Sequence, residues 1–374
     1  MRPELLRYNQ SSMRAAAQDE PTQAIAADFR TEFHALASGC GVYKLDQAPI
    51  ALTGSDRVRW LNGMVTNNVR DLAPGHGVYA FLLNPQGKIQ ADLHAFNRGG
   101  SLVVETERAQ VETVLQIFDR YIIMDDVEVE NLTGKVAVIG VAGPTSGAVL
   151  AAAIPALSFQ GTETQGRGTL EVRGEGGRVT QEFGPLQFAE VNRESAAATL
   201  VCGDNPAVPS YEIWVSPECA EGIWSALVRA GAQEVSADAL EALRIACGIP
   251  KFGQDIRQRD LPQETGQERA LNFTKGCYIG QEIVERIRSR GAVHRIFTGF
   301  EVEGPRPSPG LRIQDQGKDV AEITSVAIVP TESGERTLAL GYGRKEILTP
   351  GKEFTAGETK LRVAGLPFSG IFTA

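Results

Sequence analysis

The feature that most constrains how this chain can fold is a change of pattern at Arg295. Before this residue, strand-like and helix-like stretches alternate. After it, short β-type segments are separated by the turn sequences GPRPSPG, DQGK, ESGE and TPGK, and no helical period occurs. Short strands divided by glycine and proline are typical of a small barrel or sandwich. We therefore expect a separate β domain over residues 291–374.

The region before Arg295 combines strands and helices in an order typical of an α+β fold. Its clearest helical pattern is Glu107–Tyr121, where Val111, Val114, Leu115 and Phe118 recur at i, i+3, i+4 and i+7. A chain of 374 residues is also too long for one ordinary hydrophobic core. We expect a leader over residues 1–30, frayed or helical, and two intertwined α+β domains over residues 31–290.

Turn and capping residues predict where individual elements begin and end. Asn84-Pro85-Gln86-Gly87 separates two alternating apolar stretches and predicts a hairpin, with Asp92 on its second strand. Ser216 followed by Pro217 predicts the start of a helix, and Ser236 predicts the start of the next one.

Charge and cysteine usage limit the class of protein. A net charge of −9 argues against general binding to a nucleic-acid backbone. The five cysteines are widely spaced, and neither they nor the four histidines have zinc-site spacing. No uncharged apolar run reaches the roughly 18 residues that a membrane helix needs. We expect a soluble cytoplasmic protein without a structural metal or membrane association.

One short segment carries a chemical signal: Lys275–Glu282, with the sequence KGCYIGQE, called here the octet. Cys277 follows Lys275 and precedes Arg286, so local positive charge would favour its thiolate. The alternative is a buried, inert thiol, which is the interpretation that we give to Cys219 and Cys247 on helical faces.

The residues around Cys277 also have two interpretations. Gly276 and Gly280 would allow positive φ or close approach of the backbone at both ends of the Cys-Tyr-Ile triplet. Gln281 and Glu282 could supply polar groups at the mouth of a site, or could lie in the solvated first turn of a helix. Composition leaves both open.

As a contiguous segment, the octet resembles the fingerprint of the YgfZ branch of the folate-binding proteins related to the glycine-cleavage T protein. Weaker resemblances follow in the same order as in that family. They are Leu52–Gly54 with Thr66–Val69, Leu83–Gly87 with Asp92, Tyr211–Ile213, and Leu243-Arg244 with Gly253–Asp255.

The resemblance implies an α+β fold of two mixed α/β layers plus a C-terminal antiparallel β-barrel, arranged around a central folate channel. It implies tetrahydrofolate, or a one-carbon derivative, as the ligand. In T proteins, a carboxylate at the place of Asp92 contacts folate and is central to aminomethyl transfer, and one at the place of Glu212 hydrogen-bonds the pterin, so the resemblance implies these roles here. Further cofactor-binding positions implied are Asn67, Tyr211, Arg244, Lys275, Tyr278, Gln281 and Glu282.

Two departures from the T proteins bear on activity. Leu240 stands where they carry an arginine that meets the folate tail, and Cys277 stands in a segment where they usually lack cysteine. The negatively charged tail could instead meet a downstream basic cluster, although a short charge run is more often a solvated face. The cluster consists of Arg286, Arg288, Arg290, His294 and Arg295.

Three functions follow from these observations. The leading hypothesis is a tetrahydrofolate-binding protein that supports iron–sulfur cluster assembly or repair in client or assembly proteins, with Cys277 and Asp92 as the reactive residues. The rival is a folate-dependent aminomethyltransferase. The third is a folate-sensing or scaffold protein without catalysis. Whether the chain is an enzyme is left open by the sequence.

Overall fold

The computed structural model describes residues 27–154, 157–161, 168–173, 179–182, 184–193, 196–291 and 293–372. The leader expected over residues 1–30 lies mostly outside these ranges. The described helices are α1 (Ala27–Ser38), α2 (Arg57–Met64), α3 (Val111–Tyr121), α4 (Ser146–Ala153), α5 (Pro217–Arg229), α6 (Ala237–Ala246) and α7 (Gln281–Arg290).

The strands follow the alternation expected from the sequence. Those before Arg295 are β1 (Gly41–Leu45), β2 (Gln47–Thr53), β3 (His76–Leu83), β4 (Ile89–Asn97), β5 (Leu102–Glu107), β6 (Glu128–Asn131), β7 (Ala137–Ala142), β8 (Leu157–Gly161), β9 (Gly168–Arg173), β10 (Val179–Glu182), β11 (Phe188–Arg193), β12 (Ala196–Cys202), β13 (Ser210–Val215) and β14 (Gln233–Glu234). Those from Arg295 onward are β15 (Arg295–Glu303), β16 (Arg312–Asp315), β17 (Lys318–Thr331), β18 (Gly334–Arg344), β19 (Glu353–Ala356) and β20 (Thr359–Ala364).

Two of the sheets form the region before the barrel. The first sheet has the order β3-β4-β5-β2-β6, and the second sheet has the order β11-β12-β13-β7-β1-β14. All of their strand pairs are antiparallel except β1 with β14. A short separate sheet has the order β10-β9-β8.

Each large sheet buries its outer face under helices. Helices α2 and α3 cover the first sheet, with Trp60 and Phe118 in edge contact at 5.0 Å between ring centroids. Helices α4 and α5 cover the second sheet through an apolar cluster that includes Leu150 and Leu227. The outcome is two mixed α/β layers, as expected, because each helix presents one apolar stripe to one sheet face.

The inner faces of the two sheets meet through aromatic side chains. Phe96 on β4 contacts Trp214 on β13 edge to face, with ring centroids 5.3 Å apart. Phe188 on β11 contacts Phe96 in the same geometry at 5.8 Å. This contact places the inward-facing residues of β4 and β5 opposite those of β13.

The local predictions agree well with these boundaries. Strands β3 and β4 form the hairpin expected around Asn84–Gly87. Helix α5 begins at Pro217 as predicted. Ser236 caps α6, because its Oγ accepts a hydrogen bond from the Ala239 amide at 3.4 Å. The predicted helix over residues 107–121 is shorter in its α part, since Arg108–Gln110 forms a 3₁₀ turn before α3.

From Arg295 onward the described residues form strands with one short 3₁₀ turn. They make one antiparallel sheet of order β16-β17-β18-β15-β20-β19. The edge strands β16 and β19 approach each other, so the sheet is nearly closed into a barrel. Helices α1 and α6 pack on its outside through Phe33, Leu243 and Val329. The expected β-barrel is therefore present, while domain boundaries at 30/31 and 290/291 stay predictions.

A search of the described helices finds none that is long and apolar enough to cross a membrane.

Candidate functional site

A cavity of about 850 Å³ lies where the two large sheets, α6 and the segment after α6 come together; it is called here the central cavity. Asp92 from the first sheet and Glu212 from the second sheet both line it. A second cleft of about 930 Å³ beside Trp224 contains neither carboxylate. Because two of the sequence-predicted site residues converge in the central cavity, it is the candidate site.

Asp92 is held in one orientation by its neighbours. Its Oδ2 accepts a hydrogen bond from the Tyr79 hydroxyl at 2.7 Å, and its Oδ1 accepts one from Gln110 Nε2 at 2.8 Å. The Asp92 amide donates to Gln110 Oε1 at 3.0 Å, and its carbonyl accepts from Thr106. Tyr79 and Gln110 therefore fix the carboxylate, and burial beside Asp92 raises the pKa of the Tyr79 hydroxyl well above its usual value.

Glu212 lies deep in the wall, against a second buried carboxyl group. Its Oε2 accepts a hydrogen bond from Trp214 Nε1 at 2.9 Å. Glu105 on β5, which is 1% exposed, lies within hydrogen-bonding distance of Glu212. Burial, and then the neighbouring Glu105 carboxyl, raise the pKa of Glu212 well above its usual value. Burial raises the pKa of Glu105 to about 7.

His94 joins the two carboxyl sites. It stands opposite both Tyr79 on β3 and Glu105 on β5 in strand register, and its Nδ1 is 3.4 Å from Glu105 Oε2. Its other ring nitrogen, Nε2, is buried in the wall and has no hydrogen-bond partner. Burial lowers the pKa of His94 to about 4, so the ring is neutral near pH 7.

Arg269 also lines the central cavity. Its guanidinium lies over the Tyr79 ring, 4.5 Å from the centroid, and is ion-paired with Asp204. Burial lowers the pKa of this guanidinium. The cavity wall therefore contains the ion pair of Arg269 with Asp204. His94 Nε2 lies 3.9 Å from Oδ2 of this Asp204 carboxylate.

Arg244 also lines the central cavity, but its donors are used within the protein. It is ion-paired with Glu241 at 2.6 Å and with the buried Asp255 at 2.7 Å. It also donates to the Ile249 carbonyl and, at 2.9 Å, to Ser325 Oγ on β17. Arg244 thus ties α6 to the barrel, and its expected contact with a ligand stays a prediction.

Leu240 lines the cavity where the family arginine was expected, and the basic cluster proposed to replace it lies elsewhere. The α7 arginines are solvent-facing, and two of them pair with Glu282 and Glu285. Arg295 is paired with Asp260 and Glu264 under the barrel. The exposure of the α7 arginines agrees with the solvated-face interpretation, and contact of the basic cluster with a folate tail stays a prediction. The cationic residues that line the cavity are Lys44, Arg108, Arg244, Lys251 and Arg269.

The octet does not line the central cavity. The Lys275 ammonium donates to the carbonyls of Asn62, Val65 and Asn67, each at 2.6 Å, where helix α2 ends. Burial lowers the pKa of Lys275 to about 7, but three carbonyl acceptors match the three N–H groups of its charged form. Lys275 is a tether between the octet and α2.

The two glycines of the octet differ. Gly280 has φ +82, and a Cβ there would lie 2.6 Å from the Asn84 carbonyl oxygen and 3.1 Å from Gly87 Cα. Gly276 lacks positive φ, and its Cβ would meet nothing closer than Arg70 Nη2 at 3.7 Å. Positive φ is therefore found at Gly280, which packs on the β3–β4 turn, and not at Gly276, while close approach of a ligand to either glycine stays a prediction.

The remaining octet residues divide between core and solvent. Tyr278 is 8% exposed and packs with Leu83 and Val284, with Lys275 Nζ 5.1 Å from its ring centroid. Glu282 is exposed and pairs with Arg286 one turn later on α7. Gln281 lies in the first turn of α7, away from the central cavity. These positions agree with the solvated-helix interpretation of Gln281 and Glu282.

Cys277 is exposed, whereas Cys40 and Cys247 are buried and Cys202 and Cys219 are partly buried. The side chain of Cys277 lies outside the central cavity. The alternative of a buried thiol is therefore wrong for this residue, while its reactivity stays a prediction. The structure separates the candidate thiol from the candidate ligand cavity.

Two further predicted positions lie near the cavity without lining it. Tyr211 points away from Glu212, since successive strand residues face opposite sides, and it packs in the core under α4 and α5. Asn67 Nδ2 donates to the carbonyls of Tyr79 and Arg269, each at 2.8 Å. Asn67 therefore supports two cavity residues by holding their backbone. Contact of either residue with a ligand stays a prediction.

Sequence reasoning missed Tyr79, His94, Glu105 and Arg269. One signal for Glu105 was available: it is an acid that directly follows the apolar run Leu102-Val103-Val104. Such a residue on a buried strand needs a partner. His94 also follows Asp92 by two residues, which places both on one face of β4. No group of three or more potential metal ligands occurs among the described residues.

Comparison with known proteins gives consistent results. Residues 6–172 match the model of the GCVT N-terminal domain family. A putative chloroplastic transferase from Arabidopsis thaliana is 24% identical over 310 residues, which cover 83% of this chain and 66% of that protein. An aminomethyltransferase from Rippkaea orientalis is 25% identical over 348 residues, covering 89% of this chain and 85% of that protein.

The fold is also found among solved structures. The glycine cleavage system aminomethyltransferase T from Bartonella henselae superimposes with a TM-score of 0.76 at 18% identity, covering 92% of this chain and 90% of that chain. The expected mixed α/β fold with a C-terminal barrel is confirmed by this likeness. At 18% identity this likeness shows the fold, and the family match is to the GCVT N-terminal domain over residues 6–172.

Proposed function

We propose that this chain binds tetrahydrofolate, or a one-carbon derivative of it, in the central cavity. The observation that carries the proposal is that Asp92 and Glu212, on different sheets and 120 positions apart in the chain, line one cavity. A volume of about 850 Å³ is within the range of roughly 300–1,000 Å³ usual for small-molecule sites.

The wall chemistry suits a pterin. The flat amino-pyrimidine edge presents adjacent N–H donors, which one carboxylate can accept in bidentate fashion. Glu212 would accept this edge, and the unpartnered His94 Nε2 would meet another polar atom of the ring. Asp92, fixed by Tyr79 and Gln110, would stand beside the one-carbon end. When bound, the folate would supply the one-carbon chemistry.

Calorimetric titration with tetrahydrofolate tests this proposal. Wild-type protein is expected to bind with measurable heat and to gain thermal stability. Glu212→Ala should weaken binding at least about tenfold, because it removes a buried, charge-assisted hydrogen bond. Glu190→Ala is the matched control, since Glu190 on β11 pairs with Arg98 outside the central cavity. Absence of heat and of a thermal shift in the wild type would refute folate binding and favour the scaffold alternative.

We further propose that the chain belongs to the YgfZ branch and supports iron–sulfur cluster assembly or repair in client proteins. Two observations support this role: the octet, and the exposure of Cys277, which is the most accessible of the five cysteines. An exposed thiol outside the folate cavity would meet a client protein and act there as a transient thiolate ligand or nucleophile.

Complementation separates this role from folate binding. In cells that lack the protein, Cys277→Ser should fail to restore the activity of iron–sulfur enzymes while the purified variant still binds tetrahydrofolate. Cys219→Ser, at a partly buried helical position, is the control and should complement. Full complementation by Cys277→Ser would exclude the thiol from the function.

A second candidate is folate-dependent aminomethyl transfer, favoured by relatives that are named aminomethyltransferases. In this mechanism Asp92 would orient the amine of the intermediate. A coupled assay with tetrahydrofolate and either methylated glycines or a lipoyl carrier protein tests it. Turnover that is lost in Asp92→Ala but kept in Cys277→Ser would establish transfer as the activity.

A further inference from the structure

The inter-sheet contact beneath the central cavity contains two acids and no strong base. Glu105 on β5 and Glu212 on β13 face each other within hydrogen-bonding distance. Within the described residues, neither carboxylate forms an ion pair with lysine or arginine. Glu105 Oε1 is buried and has no donor when both groups are ionised. A shared proton would supply that missing donor, as it does for other adjacent buried acids.

The other titratable groups facing Glu212 do not replace this proton. Tyr43 on β1 lies over Gly140 in the same cross-strand row as Glu212, and burial raises the pKa of its hydroxyl. His94 on β4 is neutral near pH 7 because burial lowers its pKa to about 4. Asp204, beside His94, is paired with Arg269. The Trp214 indole donates to Glu212 without titrating.

We propose that Glu105 is a positioning residue that shares a proton with Glu212 across the sheet contact and so couples ligand binding to proton release. This inference rests on the proposed folate site and deepens it. A ligand edge with two adjacent N–H donors requires Glu212 in its ionised form, and the proton that Glu212 gives up passes to solvent. Glu105 does not line the cavity, so it acts on the ligand through Glu212.

Calorimetry over a range of pH tests the coupling. The affinity of wild-type protein for tetrahydrofolate should rise with pH by up to about tenfold per pH unit while the pair is protonated. Titration in buffers of different ionisation heat should detect the released proton. In Glu105→Gln, the neighbouring charge is gone and an amide N–H can donate to Glu212. The increase of affinity with pH should therefore occur at lower pH in this variant than in wild type. At the lowest pH values measured, the variant should bind tetrahydrofolate more tightly than wild type.

Glu190→Gln is the control, because Glu190 on β11 pairs with Arg98 outside the central cavity. An identical pH profile in wild type and Glu105→Gln, or an equal shift in Glu190→Gln, would overturn the proposal. A purely structural role of Glu105 would change affinity at all pH values alike.

Infrared titration of the ligand-free protein keeps this inference distinct from the folate proposal. Wild type should show a protonated carboxyl band near neutral pH that weakens in Glu105→Gln and persists in Glu190→Gln. If that band is present but tetrahydrofolate does not bind, the proposal of a folate site is refuted, whereas the proposal of a shared proton is supported. If the band is absent from wild type, the shared proton is refuted whatever the affinity.

Discussion

Gly276 and Gly280 lie four residues apart in the octet, yet only one of them requires glycine. We expect Gly280→Ala to destabilise the protein by at least about 1–2 kcal/mol, because alanine is strained at positive φ. Its Cβ would also overlap the Asn84 carbonyl oxygen at 2.6 Å. Gly276→Ala should be nearly neutral, since its Cβ meets only the end of the flexible Arg70 side chain. Denaturant unfolding of both variants measures the difference, and equal losses would contradict this account.

Lys275 is a second residue of the octet with a structural role, because its ammonium group holds the octet against the end of α2. Lys275→Met keeps the length of the side chain but leaves the carbonyls of Asn62, Val65 and Asn67 without their shared donor. We expect a loss of stability on the order of 1–3 kcal/mol and faster alkylation of Cys277, because the octet is freed from α2. Lys360→Met, at an exposed position on β20, is the control. Unchanged stability and alkylation would show that the tether is dispensable.

At the level of elements, a buried polar network joins α6 to the barrel. Asp255, which is fully buried, accepts hydrogen bonds from Arg244 on α6 and from Ser325 Oγ on β17 at 2.7 Å. Thr324 on β17 donates to the same carboxylate. The helix and the barrel therefore share one carboxylate, which lies beside the segment that closes the central cavity.

Removal of this carboxylate should be costly. Asp255→Ala removes the fully buried carboxylate partner of Arg244, and breaking a buried ion pair costs up to about 3–5 kcal/mol. Asp319→Ala is the matched control within the barrel, because Asp319 pairs with Arg312 on the surface and should contribute little. Chemical denaturation followed by tryptophan fluorescence measures both variants. A small effect of Asp255→Ala would mean that the network does not join the two elements energetically.

For the molecule as a whole, two buried groups set opposite pH limits on stability. Burial lowers the pKa of His94 to about 4, so the unfolded chain binds the extra proton and stability falls as pH drops from about 6.5 to 4. Burial raises the pKa of Glu105 to about 7, so the folded protein binds the extra proton and stability falls as pH rises from about 4.5 to 7.

Because the His94 contribution to stability falls at low pH and the Glu105 contribution falls at high pH, we expect maximum stability in mildly acidic solution. Glu105→Gln should remove most of the loss above pH 6, which would raise the melting temperature at pH 8 by a few degrees relative to wild type. Calorimetric melting from pH 4 to 9 checks this. A wild-type melting temperature that rises through pH 7 would contradict the assignment. Glu190→Gln, at an exposed position on β11, again serves as the control.

Several parts of the molecule could be predicted from sequence because their causes are local. The β3–β4 hairpin follows from its turn residues, α6 from the Ser236 cap, and the all-β region from the loss of helical period after Arg295. Positive φ was offered by the sequence as one possibility for both glycines of the octet, and the structure has it at Gly280. Chain neighbours carry all of these signals, so a short window of sequence contains them.

Only the tertiary structure shows which side chains meet residues that are distant in the sequence. Asp92 and Glu212 were placed near one ligand only through resemblance, while the sheet contact that joins β4 to β13 brings them into one cavity. Glu105 and His94 were missed, because periodicity does not say which distant strand a residue faces. Cys277 was grouped with the carboxylates by family pattern, yet it lies outside their cavity. The sequence by itself thus determined the elements and indicated a family resemblance, and packing between sheets decided the candidate site.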